Sequence, residues 1–86
     1  MKEYEKPLKA FANKRRLAIV KFFKKKKEAN VSEIAESIKL SFKSTSRHLA
    51  VLLNADILEK EQRNISCFYS LAPKLSLVAK SIVSLL

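Results

Sequence analysis

Glycine is missing altogether from the 86 residues, where average usage would be about 7%. No glycine-rich loop can therefore cradle a phosphate, and every tight turn must be made by other residues. Cysteine occurs once, as Cys67, which excludes an internal disulfide framework and any multi-thiolate metal site within one chain. Histidine also occurs once, as His48, and a lone histidine lacks the partners that a metal site needs. No run approaches the ~20 apolar residues of a membrane span, and the N-terminus MKEYEKPLKA is charged where a signal peptide would be apolar. No nucleophile–base–acid set or carboxylate pair stands out, so an enzyme is not expected and no cofactor is implied. A soluble protein of the cytoplasm, associated with the nucleoid, is the expectation.

Acidic residues are scarce beside basic ones. Eight Asp and Glu against 18 Lys and Arg leave a net charge of +10, which points to nucleic acid first and an anionic surface second. The length suits one small domain spanning residues 1–86. Such a domain buries only about 60% of the surface of its unfolded chain, so a partner subunit would help it.

The apolar spacing predicts seven elements. Residues 3–12 form a short helix, with Pro7 limiting its regularity. Asn13 caps a helix from Lys14 to about Lys26, whose Leu17, Ile19, Val20, Phe22 and Phe23 make an apolar face broad enough for a central position. Asn30 and Glu33 resemble a capping box ahead of the narrow stripe Ile34, Ala35, Ile38. After the short link Lys39-Leu40, Ser41 caps a helix reaching Asn54, and two helices joined so closely form a helix-turn-helix pattern. Two strands follow around Arg63-Asn64, with Ile65, Cys67, Tyr69 and Leu71 alternating toward the core. Cys67 reads there as a small buried hydrophobe. Pro73 then opens a last helix over residues 72–86.

The helix over residues 41–54 has two unlike faces. At about 100° per residue, His48, Leu52, Thr45, Leu49 and Leu53 share one arc, which binds the helix to its own domain. Lys43, Ser46, Arg47, Ala50 and Asn54 share the other, which is small, polar, cationic and free of acids. A helix of that kind can lie in a DNA major groove. Arg47 has the fork geometry for guanine O6 and N7, Lys43 can meet a phosphate or guanine, and the helix N-terminus offers N–H groups to phosphate. A solvated basic helix face would look similar in isolation. The turn spacing, the basic hairpin and the net charge together favour double-stranded DNA as partner. Lys24 to Lys27 suit the end of the second helix electrostatically and could equally add phosphate contacts.

The stretches FANKRRLAIVKFF, VSEIAESIKLSFKSTSRHLAVLLNADIL and FYSLAP together resemble the ArsR family of winged helix-turn-helix transcriptional regulators, over about residues 10 to 73. The resemblance implies a mainly α fold with a small β-hairpin (α-α-α-α-β-β-α) that forms a homodimer on DNA. The recognition helix would be residues 41–54, and a wing over residues 59–71 would touch backbone or minor groove. By that match Lys43, Ser44, Thr45, Ser46 and Arg47 fall in the DNA-reading segment, with Arg63 and Asn64 at the wing tip. Metal-sensing members carry paired cysteines where this chain has Glu28 to Ser32, or Asp and His ligands in the last helix; neither set is present, so metal sensing is not expected. Members also place glycine where Lys39, Asp56 and Asn64 stand, which predicts left-handed backbone at those three residues.

Leu71, Leu75, Val78, Ile82 and Leu85 recur at spacings of four and three, a heptad-like seam suited to dimerisation, assisted by residues 3–12. Two other functions remain open at this stage: an architectural chromatin protein with little sequence preference, and a winged helix used for protein interaction.

Overall fold

The computed structural model describes residues 2–86. Five helices and one hairpin follow in the order α1 (Lys2–Phe11), α2 (Lys14–Lys25), α3 (Val31–Ile38), α4 (Phe42–Asn54), β1 (Leu58–Arg63), β2 (Ser66–Leu71) and α5 (Leu77–Leu85). This is the expected order of a winged helix-turn-helix domain.

Side-chain caps set most helix starts. The Asn13 carboxamide accepts from the Arg15 and Arg16 amides at 2.9 and 3.2 Å. Asn30 and Glu33 form the reciprocal capping box, each amide 2.9 Å from the other side chain. The Ser41 and Ser76 hydroxyls each accept an amide 3.1 Å away, from Ser44 and Ala79. Left-handed backbone ends two of the helices. Lys39 at φ 55° lets the Leu40 amide reach the Ala35 carbonyl, and Asp56 at φ 59° lets Ile57 reach Leu52, both at 3.0 Å. Asn64 at φ 57° turns the hairpin. The three positions expected to need a glycine-like backbone are thus the three non-glycine residues with positive φ among those described.

The core centres on α2. Its Ile19, Val20 and Phe23 are buried, and it touches α1, α3, α4, α5 and β2. Phe11 and Ala10 of α1, Ala29, Ile34 of α3, Leu49 and Leu52 of α4, Ile57, Leu58, Tyr69, and Ala79 and Val83 of α5 complete the cluster. Burying such side chains contributes about 1.5–3 kcal/mol each relative to leaving them exposed. The antiparallel pair runs from Leu58↔Leu71 to Arg63↔Ser66, and Ala29 adds an isolated bridge to Tyr69 through bonds of 3.1 and 2.8 Å. That bridge stitches the α2–α3 link to the wing.

Three expectations are corrected. Pro73 does not open the last helix: the Ala72 amide still bonds the Ile57 carbonyl at 3.0 Å, so the chain remains tied to the sheet and α5 begins only after Ser76. The seam Leu71, Leu75, Val78, Ile82, Leu85 is consequently not one helical stripe, since Leu71 ends β2 and Leu75 lies in the link, both packed on the core. Ile65 does not face inward with Cys67, Tyr69 and Leu71; it occupies the two-residue turn and is 98% exposed.

Thr45 is fully buried in α4, and its Oγ1 has no hydrogen-bond partner. An unpaired buried hydroxyl costs on the order of 1–3 kcal/mol, and valine has nearly the same shape. Thr45→Val should therefore raise the stability by about 1 kcal/mol in urea unfolding at fixed protein concentration. Loss of stability would mean that the hydroxyl is satisfied.

Candidate nucleic-acid interface

The two faces of α4 separate as the wheel predicts. Thr45, Leu49 and Leu52 are buried, His48 and Leu53 are half-buried, and Lys43, Arg47, Ala50 and Asn54 are exposed. Ser44 and Ser46 are half-buried. Lys43, Ser46 and Arg47 thus lie on one open arc at the front of the helix, with Ser41 capping the end that carries positive dipole. Thr45 leaves the set of candidate contacts. Its neighbours in sequence are polar, but its position on the wheel is the apolar one, and its side chain cannot reach DNA.

His48 is held from behind. Arg16 donates Nε to the Ala10 carbonyl at 2.6 Å, and its Nη1 lies 3.2 Å from His48 Nδ1. Arginine can only donate, so Nδ1 accepts and the ring is neutral there. Burial lowers the imidazole pKa below its ordinary value, with the Arg16 and Arg15 charges pushing the same way. Arg15 also donates to the Ile38 carbonyl at 3.3 Å. These two arginines tie α1, α3 and α4 to α2, which fixes the angle at which the basic arc of α4 is presented.

The wing carries a contact absent from the sequence reading. Arg63, the last residue of β1, donates to both Glu28 carboxylate oxygens at 2.6 and 2.7 Å and to Glu61 at 2.8 and 3.1 Å. Its guanidinium also sits 4.8 Å from the centre of the Phe68 ring. Glu28 is in reach because the neighbouring Ala29 is bridged to Tyr69. The hydrogen bonds from Arg63 hold the Glu28 pKa below the usual carboxylate value near 4.5, so the clamp is present at neutral pH and loosens only as pH falls through that lowered value. Arg63 is therefore not a free cation at the wing tip: two carboxylates already pair with it. Asn64 is exposed, and its carbonyl accepts from Gln62 at 3.1 Å.

Two exposed apolar residues were missed as well. Phe42, the first residue of α4, is 59% exposed, and Ile65 stands at the wing tip. Phe42 carries a readable signal, because a large apolar residue directly after a cap has no preceding turn to pack against. Lys24 to Lys27 are all exposed at the end of α2, with Lys26 3.6 Å from Glu33. Among the described residues no group of three or more His, Cys, Asp and Glu gathers as a metal site. No helix is long and apolar enough to cross a membrane.

A second surface lies on α1 and α5. Tyr4, Leu8, Leu77, Val78 and Ile82 line an open apolar groove of about 460 Å³. Leu77 and Leu85 are 79% and 84% exposed. Of the residues expected to dimerise, Val78, Ile82 and Leu85 belong to this helix.

A family model described as bacterial regulatory protein, arsR family, matches residues 13–60. A comparison with curated protein sequences gave no match. Among solved structures, reduced HlyU from Vibrio cholerae is 30% identical over 96% of this chain and 83% of its own, with a TM-score of 0.81. The transcriptional repressor PagR of Bacillus anthracis is 27% identical over 99% of this chain and 94% of its own, at 0.82. The homodimeric winged helix-turn-helix DNA-binding domain Mb0332 from Mycobacterium bovis shares the fold at 0.85, with 24% identity over 98% of this chain and 75% of its own.

Glu28→Gln removes half of the clamp on Arg63 while leaving a residue of similar size. On duplex DNA the variant should bind more tightly to all sequences. The plot of log K against log salt should steepen by about one unit, as one more phosphate is neutralised. An unchanged slope would mean that Arg63 does not approach the backbone.

Proposed function

The chain belongs to the arsR family of bacterial regulatory proteins, and from that premise we propose that it is a sequence-specific, homodimeric DNA-binding transcriptional regulator that does not sense metal. The observation that carries specificity is the acid-free arc of α4. Lys43 and Arg47 stand exposed, with the half-buried Ser46 between them, at the front of a helix whose rear is locked into the core. Ser44 and Asn64 are candidate phosphate or base contacts beside them, and Lys24 to Lys27 are candidate phosphate contacts. The protein would act in the cytoplasm, where its DNA is.

Dimerisation is supported by the apolar α1–α5 face. Leu77, Leu85, Tyr4 and Leu8 expose more apolar surface than a small monomer has reason to leave in water. A two-fold axis through that face would place two copies of α4 on successive major grooves, about 34–36 Å apart. The absence of a metal response is supported by residue supply: one cysteine and one histidine per subunit, on different elements. The architectural alternative rests on the net charge alone, and phosphate contacts would suffice for it.

Light scattering at micromolar concentration should give a dimer mass, and Leu77→Asp should shift it toward the monomer. A monomer mass for the unaltered chain would overturn the assembly. On a duplex selected from random sequence, Arg47→Ala should weaken binding by about 1–3 kcal/mol and relax preference at one base position per half-site. Curves with and without zinc should superimpose. Equal loss on selected and scrambled duplexes would transfer the assignment to an architectural protein.

A further inference from the structure

We propose that Phe42 determines specificity by reading the C5-methyl group of a thymine in each half-site. The inference rests on the DNA-reading function proposed for α4 and names the base chemistry that its first turn selects.

Five large apolar residues among those described are exposed away from the wing tip and the middle of α4, and four of them, Tyr4, Leu8, Leu77 and Leu85, belong to α1 and α5. Phe42 is the fifth, and it lines no part of the α1–α5 groove. It differs from the other phenylalanines, since Phe11 and Phe23 are buried in the core and Phe22 and Phe68 are half-buried. Its 59% exposure comes from its place at the start of α4, directly after the Ser41 cap. On the wheel it falls between the buried Leu49 and the half-buried Leu53, but it sits in the first turn, where no preceding turn covers it, with the small Ser46 one turn further on. The phenyl ring is therefore left in solvent at the N-terminal end of α4, one residue before the exposed Lys43.

The N-terminal residues of a recognition helix are the ones that approach base edges. A phenyl ring can neither donate nor accept a hydrogen bond there. Facing a guanine or cytosine edge, or a phosphate, it would strip water from polar atoms and return nothing. The one apolar feature in the major groove is the thymine methyl, against which a phenylalanine gains by burying carbon on both sides. Lys43 and Arg47 would hold the register through phosphate and guanine while Phe42 rejects partners that lack the methyl.

The test uses the full chain and the duplex that it selects. Each thymine is replaced singly by deoxyuridine, which deletes the methyl and keeps every hydrogen-bonding group. One position per half-site should weaken binding by the unaltered protein about fourfold, the value of one buried carbon group. Phe42→Ala should bind more weakly and lose that dependence, whereas Phe42→Leu should retain most of it; Phe42 is exposed, so unfolding midpoints should not move. Equal sensitivity to deoxyuridine in the unaltered and Phe42→Ala proteins overturns the proposal while leaving the function intact. If no sequence is preferred over a scrambled duplex, both readings fall together.

Discussion

Burial of Ile19, Val20 and Phe23 is the constraint from which the other surfaces follow. Those three residues lie on α2, the element with the most neighbours, which touches α1, α3, α4, α5 and β2. An 86-residue chain has too little interior to support a second core, so each remaining element can bury only one face and must leave the other outside. For α4 the face left outside is cationic and hydroxylated. For α1 and α5 it is apolar. The division of the surface into a basic side and an apolar side is thus a consequence of packing everything on one helix.

The arginines show how position changes the meaning of a charge. Arg15 and Arg16 donate to carbonyls and to His48, so they brace the helix that carries the basic arc. Arg63 is paired with two carboxylates and lies over a ring, so its charge is already matched within the protein. Arg47 and Lys43 meet no acid on their own helix. The net charge of the chain is therefore a poor guide to where DNA would be held. The distribution of acids decides it.

The lack of glycine leaves a small, legible strain. A left-handed residue other than glycine costs about 1–2 kcal/mol, less for Asn and Asp, which bond locally. A chain with side chains in place of glycine regains about 0.4–1 kcal/mol through a less disordered unfolded state. For Asp56 and Asn64 these effects come close to cancelling, whereas Lys39 keeps a net penalty. The turn that it closes, with the Leu40 amide on the Ala35 carbonyl, joins α3 to α4.

Local chemistry was readable from the sequence wherever a short pattern suffices. Although the three left-handed positions were implied only by the family resemblance, the caps at Asn13, Asn30 and Ser41, the central position of α2 and the two faces of α4 are set by residues within a turn or two of one another. The ArsR-like HTH segment was legible for the same reason. Contacts between distant segments were not. The bond from Ala72 to Ile57 delays α5 and breaks the apparent heptad. The Ala29–Tyr69 bridge brings Glu28 to Arg63, 35 residues away in the chain. Thr45 and Phe42 carried local signals, one by its place on the apolar arc and one by following a cap, and in the folded domain one is drawn into the core and one has nothing to pack on. By itself the sequence determined which elements form and which helix is basic on one side. Only the tertiary structure decided which cations are free to act, because pairing between remote charges depends on how strands and helices meet, and periodicity carries no record of that.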